Sequence, residues 1–140
     1  GKPLYRYQVQ DIHPGGMLET AYRGKIVGGK SLPDSLSPSG REFFRVLAGL
    51  AKKNDFKIVY ALPWAYGESG FVSTMRASAA KFLAEVDTIV PVIWEPEMGI
   101  HEDRDDFADT PQHLTAAAAR MRTEKLVRAY QRQFGKENGR

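Results

Sequence analysis

The sequence contains no cysteine and no long apolar run, and these two absences exclude several classes of protein. Without cysteine there is no disulfide, no thiolate metal ligand and no cysteine nucleophile, although the cellular compartment stays open. The longest uncharged apolar stretch, Thr88 to Trp94, is interrupted by Pro91, whereas a membrane-spanning helix needs about 20 apolar residues. We therefore expect no transmembrane segment in this chain.

Length and composition indicate a folded protein with one domain. The 140 residues are 42% hydrophobic and 26% charged, with 13 glycines and 8 prolines, as in ordinary globular domains. The chain starts Gly-Lys-Pro-Leu-Tyr, with neither an initiating methionine nor an apolar signal core. We therefore expect further sequence upstream of it.

Charge is distributed in three blocks along the chain. The net charge of +3 divides into +6 over residues 1–84, −8 over 85–109 and +5 over 110–140. A nucleic-acid-binding domain gathers its basic groups into one footprint, whereas here an acidic segment separates them, so we predict no nucleic-acid partner. The basic residues of the last predicted helix are expected to form a solvent-exposed face: Arg122, Lys125, Arg128 and Arg132.

The first 36 residues show no clean periodicity and are predicted to be irregular, with one or two strands at most. A helix is then predicted to begin with Ser37 as N-cap and Pro38 at its first position, with a capping box formed by Ser39 and Glu42. Asn54 is predicted to end it in a left-handed conformation. The apolar stripe of this helix is Phe43, Val46, Leu47, Leu50 and Ala51.

The remaining chain, to residue 140, alternates strand and helix signals. Strands are predicted at 57–62 and 88–94, and the proline in the second indicates either an edge position or a strand that is broken at that point. The helix between them has the apolar stripe Val72, Met75, Ala79, Phe82, Leu83 and Val86. A polar acidic loop is predicted from Glu95 to Asp109, after which Thr115 caps a long helix. The stripe of that last helix is Ala116, Ala119, Leu126, Val127, Tyr130 and Phe134.

This alternation predicts an α/β fold with a mostly parallel sheet and helices on its faces, all within one domain portion spanning 37–140. Two confident strands are too few for a complete doubly wound sheet. We therefore expect the sheet to be completed by the first residues, by upstream sequence or by a second copy of the chain. An exposed strand edge predicts dimerisation or association with an upstream half.

The most specific pattern is the segment from Phe107 to Thr115, which contains Asp109 and His113 before the last helix. A carboxylate that accepts a hydrogen bond from one imidazole nitrogen leaves the other nitrogen to act as a general base. Such a pair activates a hydroxyl nucleophile, typically a serine. The alternative is that Asp109 starts a turn and His113 caps a helix.

The segment also resembles a known family. The residues Asp109-Thr110, His113-Leu114, Arg120, Arg122-Thr123 and Leu126 are similar to the last conserved block of a bacterial branch of the SGNH/GDSL-type serine hydrolases. Residues 36–63 also resemble the helix and strand before that block, so the resemblance covers about the last hundred residues. It implies a flavodoxin-like three-layer sandwich, with Asp109 as the orienting acid and His113 as the general base. It also implies an ester substrate, such as a small acyl ester or an acylated glycan, and no cofactor.

The sequence departs from that family both within the Asp109–His113 block and in the nucleophile and oxyanion groups that the family has elsewhere. Gln112 stands where the branch commonly has Tyr, and the run Ala116 to Ala119 replaces its usual Glu-Gly. The family's nucleophile follows a buried strand, but no apolar strand precedes Ser35, which is better explained as turn or helix-entry chemistry. Asn54 ends a helix and is a poor oxyanion donor. The serine and the oxyanion hole are therefore expected upstream. Relatives in this branch are often exported or tied to membranes, and this resemblance implies an extracytoplasmic or membrane-associated location through that upstream sequence.

Other residues offer competing sites. The acidic run from His101 to Asp106 lacks the glycine and the spacing of a calcium loop, so a solvated loop is the better interpretation. A transition metal, if one bound, would take His101, Asp109 and His113. Three aromatic residues near strand ends are candidates for a substrate pocket, with core packing as the alternative: Trp64, Tyr66 and Trp94.

Two functions thus remain open from the sequence. In one, the chain is the acid/base half of a serine ester hydrolase, inactive by itself. In the other, the same α/β scaffold is a non-catalytic module that binds a glycan or a protein, or serves in assembly.

Overall fold

Three helices and two short parallel strands form the regular structure of the chain. The computed structural model describes residues 26–135. Its elements are α1 (Pro38–Lys53), β1 (Ala65–Tyr66), α2 (Val72–Asp87), β2 (Ile100–His101) and α3 (Ala116–Phe134). Most of the predicted irregular N-terminal segment, residues 1–25, lies outside the described residues.

The start of α1 follows from its first residues, as predicted. Ser37 is the N-cap, and its hydroxyl accepts the Gly40 backbone N–H at 3.0 Å, with Pro38 at the first helical position. The proposed capping box at Ser39 does not form, because Ser39 already lies in the first turn of the helix. The left-handed stop at Asn54 was also wrong.

Two local groups explain how α1 ends. Asn54 has a φ of −106°, and both its backbone N–H and its side-chain amide donate to the carbonyl of Leu50. The left-handed residue is the next one, Asp55, with a φ of 52°. The face that α1 buries matches the predicted stripe only in part. Ala51 is buried as predicted, but Phe44 is buried in place of Phe43, Val46 and Leu50, which are about half exposed.

Three stretches of chain pair in parallel. In β1 and β2, Ala65 is the partner of Ile100 and Tyr66 is the partner of His101. An isolated parallel bridge joins Tyr60 to Val92, and another joins Gly29 to Gly67. The segments 57–62 and 88–94, which were predicted as strands, therefore pair at a single bridge. The regular strands β1 and β2 follow these segments in the chain.

A tight turn at residues 95–99 explains this displacement. Met98 and Gly99 both have positive φ values, 49° and 73°, a conformation that glycine adopts most readily. A Cβ at Gly99 would also lie 2.8 Å from the carbonyl oxygen of Pro63. The turn interrupts the strand after Val92, and pairing resumes at Ile100, inside the segment that had been predicted as a polar loop.

Helices α1 and α2 pack against the paired segments. Phe44 of α1 and Leu83 and Val86 of α2 pack with the buried valines 90 and 92. At the beginning of α2, Val72 and Met75 pack on Ile100. The predicted burial of α2 is thereby confirmed. The architecture is of the α/β kind, with parallel strands and helices packed on them.

The last helix begins where the sequence predicts but turns a different face to the core. Thr115 is the N-cap of α3 and accepts the Ala118 N–H at 3.2 Å. The helix buries Ala116, Ala118, Arg122 and Ala129, whereas Val127 and Tyr130 of the predicted apolar stripe are exposed. The expectation that Arg122 belongs to a solvated face was wrong, because its guanidinium pairs with the buried carboxylate of Glu95.

Side chains occupy the strand edge on which the predicted dimerisation depended. The backbone N–H of Val92 donates to the Asp87 carboxylate at 2.8 Å. At Trp94 the side-chain amide of Gln133 accepts the backbone N–H at 3.1 Å and donates to the carbonyl at 2.9 Å. At Val92 and Trp94 these backbone groups therefore already have partners, and the predicted dimerisation stays a prediction. Within residues 26–135 no helix is long and apolar enough to cross a membrane.

Candidate functional site

The loop that carries Asp109 and His113 follows β2 and ends at the start of α3. A bridge between Phe107 and Leu114 closes the loop at its base, in antiparallel orientation. Next to this bridge, the Ala108 N–H donates to the carbonyl of His113 at 2.7 Å. Phe107 and Ala108 are fully buried, so the base of the loop is anchored in the core.

The tip of the loop is held by the neighbouring strand and by its own hydroxyl group. The backbone N–H of Tyr66 in β1 donates to the carbonyl of Pro111 at 2.7 Å. The Thr110 hydroxyl accepts the N–H of Gln112 at 3.3 Å and that of His113 at 3.1 Å. These bonds fix the direction in which His113 leaves the loop, at the carboxyl ends of β1 and β2, where ligands bind in parallel α/β sheets.

Asp109 and His113 form a hydrogen-bonded pair. The Nδ1 atom of His113 lies 2.8 Å from Oδ1 of Asp109. The Asp109 side chain is 13% exposed, whereas that of His113 is 65% exposed. Within residues 26–135 nothing hydrogen-bonds Nε2 of His113. A carboxylate that is mostly buried therefore orients an imidazole whose other nitrogen is accessible, as a general base requires.

The structure reveals a second His–Asp pair that the sequence analysis missed. Nδ1 of His101 lies 3.3 Å from Oδ2 of Asp106, and the two side chains are only 14% and 20% exposed. The His101 ring stacks on Trp64, with their centroids 3.7 Å apart. Nε2 of His101 is buried without a hydrogen-bond partner. Nothing in the sequence singles out this pair, because four acidic residues follow His101 within five positions and any of them could be its partner.

Burial perturbs both members of this second pair. Burial lowers the pKa of His101, and the nearby ammonium of Lys125 lowers it further, against the opposing effects of Asp106, Glu97 and Asp103. Burial and the neighbouring Asp103 raise the pKa of Asp106. The neutral ring with its proton on Nδ1 fits this environment, because Nδ1 faces the Asp106 carboxylate, whereas the buried Nε2 has no hydrogen-bond partner.

Ion pairs hold α3 against the loop at 95–97. Arg122 pairs with Glu95 and also donates to the carbonyl of Leu62 at 2.9 Å. Lys125 lies 3.3 Å from the Glu97 carboxylate. Burial raises the pKa of Glu95, and the attraction of Arg122 opposes this shift. These contacts hold the second and third turns of α3 against residues 95–97.

The two other residues considered for the catalytic machinery lie away from His113. Ser35 is exposed in the bend that leads into α1, in agreement with a turn role. The side-chain amide of Asn54 is engaged with Leu50 at the end of α1. Among the described residues no serine hydroxyl is hydrogen-bonded to His113.

The three aromatic residues considered for a substrate pocket lie in different surroundings. Trp64 is buried, 2% exposed, beneath His101. Tyr66 is half-buried, with its ring 5.7 Å from that of Phe107 at the base of the loop. Trp94 lies at the strand edge. Their role in substrate binding remains a prediction.

A cavity of about 390 Å³ lies at the other end of the sheet, between the ends of α1 and α3. Phe56, Tyr130 and Phe134 are among its lining residues. The segments that border it, 56–59 and 89–91, precede the paired strands, whereas the His113 loop follows them. This cavity is therefore remote from the Asp109–His113 pair.

The three candidate metal ligands take part in two different His–Asp contacts. His101 contacts Asp106, and His113 contacts Asp109. In the part of the chain that the structure describes, no group of three or more His, Asp or Glu side chains is arranged to hold a metal ion. The acidic run instead contains a short helical turn at Arg104–Asp106, capped by the side chain of Asp103.

Comparisons with models of known protein families, with curated proteins and with solved structures found no match to this chain.

Proposed function

We propose that this chain supplies the general base and its orienting acid to an SGNH-like serine ester hydrolase. The observation that supports the proposal is the 2.8 Å contact between His113 Nδ1 and the mostly buried Asp109, with the histidine ring itself exposed. This is the geometry in which an imidazole accepts a proton from a nucleophile at its second nitrogen. The serine and the oxyanion hole are contributed by residues outside this chain.

In the proposed reaction His113 moves one proton in each half. Its Nε2 takes the serine hydroxyl proton as the serine oxygen attacks the ester carbonyl, and then gives that proton to the departing alcohol. Water repeats the sequence on the acyl-serine, releasing the acid and restoring the serine. Asp109 stays ionised throughout and stabilises the imidazolium that forms at each stage. The proposed substrate is a small acyl ester or an acylated glycan.

We propose in addition that the described elements belong to a flavodoxin-like sandwich. Its support is the parallel pairing of β1 with β2 and the extension of that pairing to Gly29. Helix α1 packs with α2 on Val90 and Val92, and α2 also packs on Ile100. Helix α3 contributes Arg122 and Lys125 above Trp64. A flavodoxin-like domain needs further strands beyond these.

The alternative function is a non-catalytic module that binds a glycan or a protein. One observation favours it: within residues 26–135 no serine hydroxyl contacts His113. In that case the Asp109–His113 pair only stabilises the loop, and substituting His113 lowers stability instead of activity.

Ester hydrolysis by a longer polypeptide that includes upstream sequence distinguishes the two functions. The measurements are turnover of a p-nitrophenyl ester and labelling by a serine-directed fluorophosphonate. We expect His113→Ala to reduce turnover by at least about 100-fold, the usual contribution of a general base. Its thermal midpoint should change little, because the ring is exposed. Gln112→Ala is the matched control, since it lies on the same loop and is also exposed.

Full turnover by His113→Ala would refute the catalytic assignment. So would an absence of both turnover and labelling in every extended polypeptide, combined with a loss of stability in His113→Ala. Labelling of an upstream serine that requires His113 would establish the proposed function.

A further inference from the structure

Asp106 lies where the loop that carries Asp109 and His113 begins, and it contacts the elements on both sides of that loop. Its backbone carbonyl accepts the N–H of Thr115 at 2.9 Å, which links the first residue of the loop base to the N-cap of α3. Its carboxylate contacts the His101 ring at the end of β2. Asp106 therefore connects three elements: the strand, the base of the loop and the last helix.

His101 is itself held rigidly. Its ring is stacked on Trp64, and the cationic groups of Lys125 and Arg122 lie 5.2 and 5.6 Å from the centre of the Trp64 ring. The backbone carbonyl of His101 also accepts the N–H of Gly67, just after β1, at 2.9 Å. A side chain confined in this way has few rotamers available, so it transmits its position to any group that it contacts.

We propose that His101 is a positioning residue that holds the Asp109–His113 pair in its hydrogen-bonded geometry by donating its Nδ1 proton to Asp106. This inference rests on the proposed function for its catalytic meaning. His101 itself touches no substrate in this scheme, because its second nitrogen is buried. Supporting shells of this kind determine whether a reactive side chain is held accurately enough to act.

Two substitutions of His101 separate the hydrogen bond from the packing. In His101→Phe the flat ring on Trp64 is retained but the donor is lost. In His101→Asn the side-chain amide provides an N–H donor near the position of Nδ1 but the ring is lost. The proposal requires that Asn preserves the geometry of His113 and that Phe does not.

The measurement is the tautomer of His113, obtained from the ¹⁵N chemical shifts of its two ring nitrogens. It uses the full 140-residue chain at a pH above the range in which histidine side chains are protonated and at a temperature well below the thermal unfolding midpoint. The chain has three histidines, so the His113 signals are assigned by their loss in His113→Gln. In the parent chain we expect the Nδ1–H form, because Asp109 accepts that proton. If the Asp109–His113 hydrogen bond is lost together with the His101 donor, the ratio of the Nδ1–H to the Nε2–H form of His113 should fall about tenfold in His101→Phe, the effect of losing one hydrogen bond of ordinary strength. The ratio should be unchanged in His101→Asn.

An unchanged ratio in His101→Phe would overturn the proposal, since the His113 geometry would then be independent of the donor. A fall in both variants would also overturn it, because packing instead of the hydrogen bond would be responsible. If His101→Phe does not fold, two substitutions of Asp106 serve in its place. Asp106→Ala removes the acceptor and should lower the ratio, whereas Asp106→Asn retains an acceptor and should leave the ratio unchanged. This readout needs no enzymatic activity, so its failure is distinct from failure of the proposed hydrolase function.

Discussion

The buried ion pair between Arg122 and Glu95 gives the sharpest prediction about stability. The two side chains are 11% and 6% exposed, and Arg122 also donates to the Leu62 carbonyl. Replacing Arg122 with Met preserves most of the aliphatic stem but leaves the Glu95 carboxylate buried without its counter-charge. Removing one partner of a buried pair costs about 3–5 kcal/mol in other proteins.

A loss of that size is large for a domain of this length. Domains are stable by about 5–15 kcal/mol, so Arg122→Met should retain a fold with a much reduced margin. With a urea m-value of about 2 kcal/mol/M, the unfolding midpoint should fall by about 2 M. The double variant Glu95→Leu, Arg122→Met removes both charges and should recover most of the loss, because an apolar pair carries no desolvation penalty.

The assay is urea unfolding followed by circular dichroism, with Arg128→Met as the matched control. Arg128 lies six residues further along α3, is 59% exposed and makes only a 3.7 Å contact with Glu124. We expect its replacement to cost at most about 1 kcal/mol. The cost of Arg122→Met should also shrink in acid, because the isolated Glu95 can be neutralised by protonation.

The reasoning would be refuted if Arg122→Met and Arg128→Met shifted the midpoint equally. It would also fail if the double variant were less stable than Arg122→Met, since the desolvated carboxylate would then not be the cause of the loss.

Two further predictions concern the second pair and the strand edge. Because the pKa of His101 is lowered in the folded chain, the unfolded chain binds the proton first, and stability should fall as the pH drops below about 6.5. Urea unfolding between about pH 7 and pH 5 should show a shallower decline in His101→Asn, and identical slopes would contradict the assignment. Gln133→Ala removes the partner of the Trp94 backbone groups, so the molecular mass measured by light scattering should rise with protein concentration. Gln131, also exposed on α3, is the control, and Gln131→Ala should not show this rise. A monomer in both cases would contradict the role of Gln133.

The local signals in the sequence predicted the helices well. Ser37 and Thr115 cap α1 and α3 as expected, because a hydroxyl before a helical run acts through bonds to residues only three positions away. The Asp109–His113 contact was predictable for the same reason, since the two residues are four positions apart. What such signals lack is information on which face a helix turns to the rest of the molecule.

The errors come from contacts between distant parts of the chain. Arg122 is buried because Glu95 and the Leu62 carbonyl, 27 and 60 residues away, satisfy its guanidinium. In the sequence it is indistinguishable from the exposed Arg128. β2 was missed because the turn at Gly99 depends on the close approach of Pro63, and the composition around it is that of a polar loop.

The two His–Asp pairs differ in exposure, and that difference supports the different roles that we propose for them. Protonating His101 would place a second ring N–H in a buried position where Nε2 has no acceptor, so this ring is suited to remain neutral and to act as a fixed donor. His113 exposes its ring to solvent, so a proton gained at Nε2 can be hydrated or passed on while Asp109 balances its charge. A base must change its charge in every cycle, and a positioning group must not. The buried pair therefore fits the supporting role and the exposed pair fits the proton-transfer role.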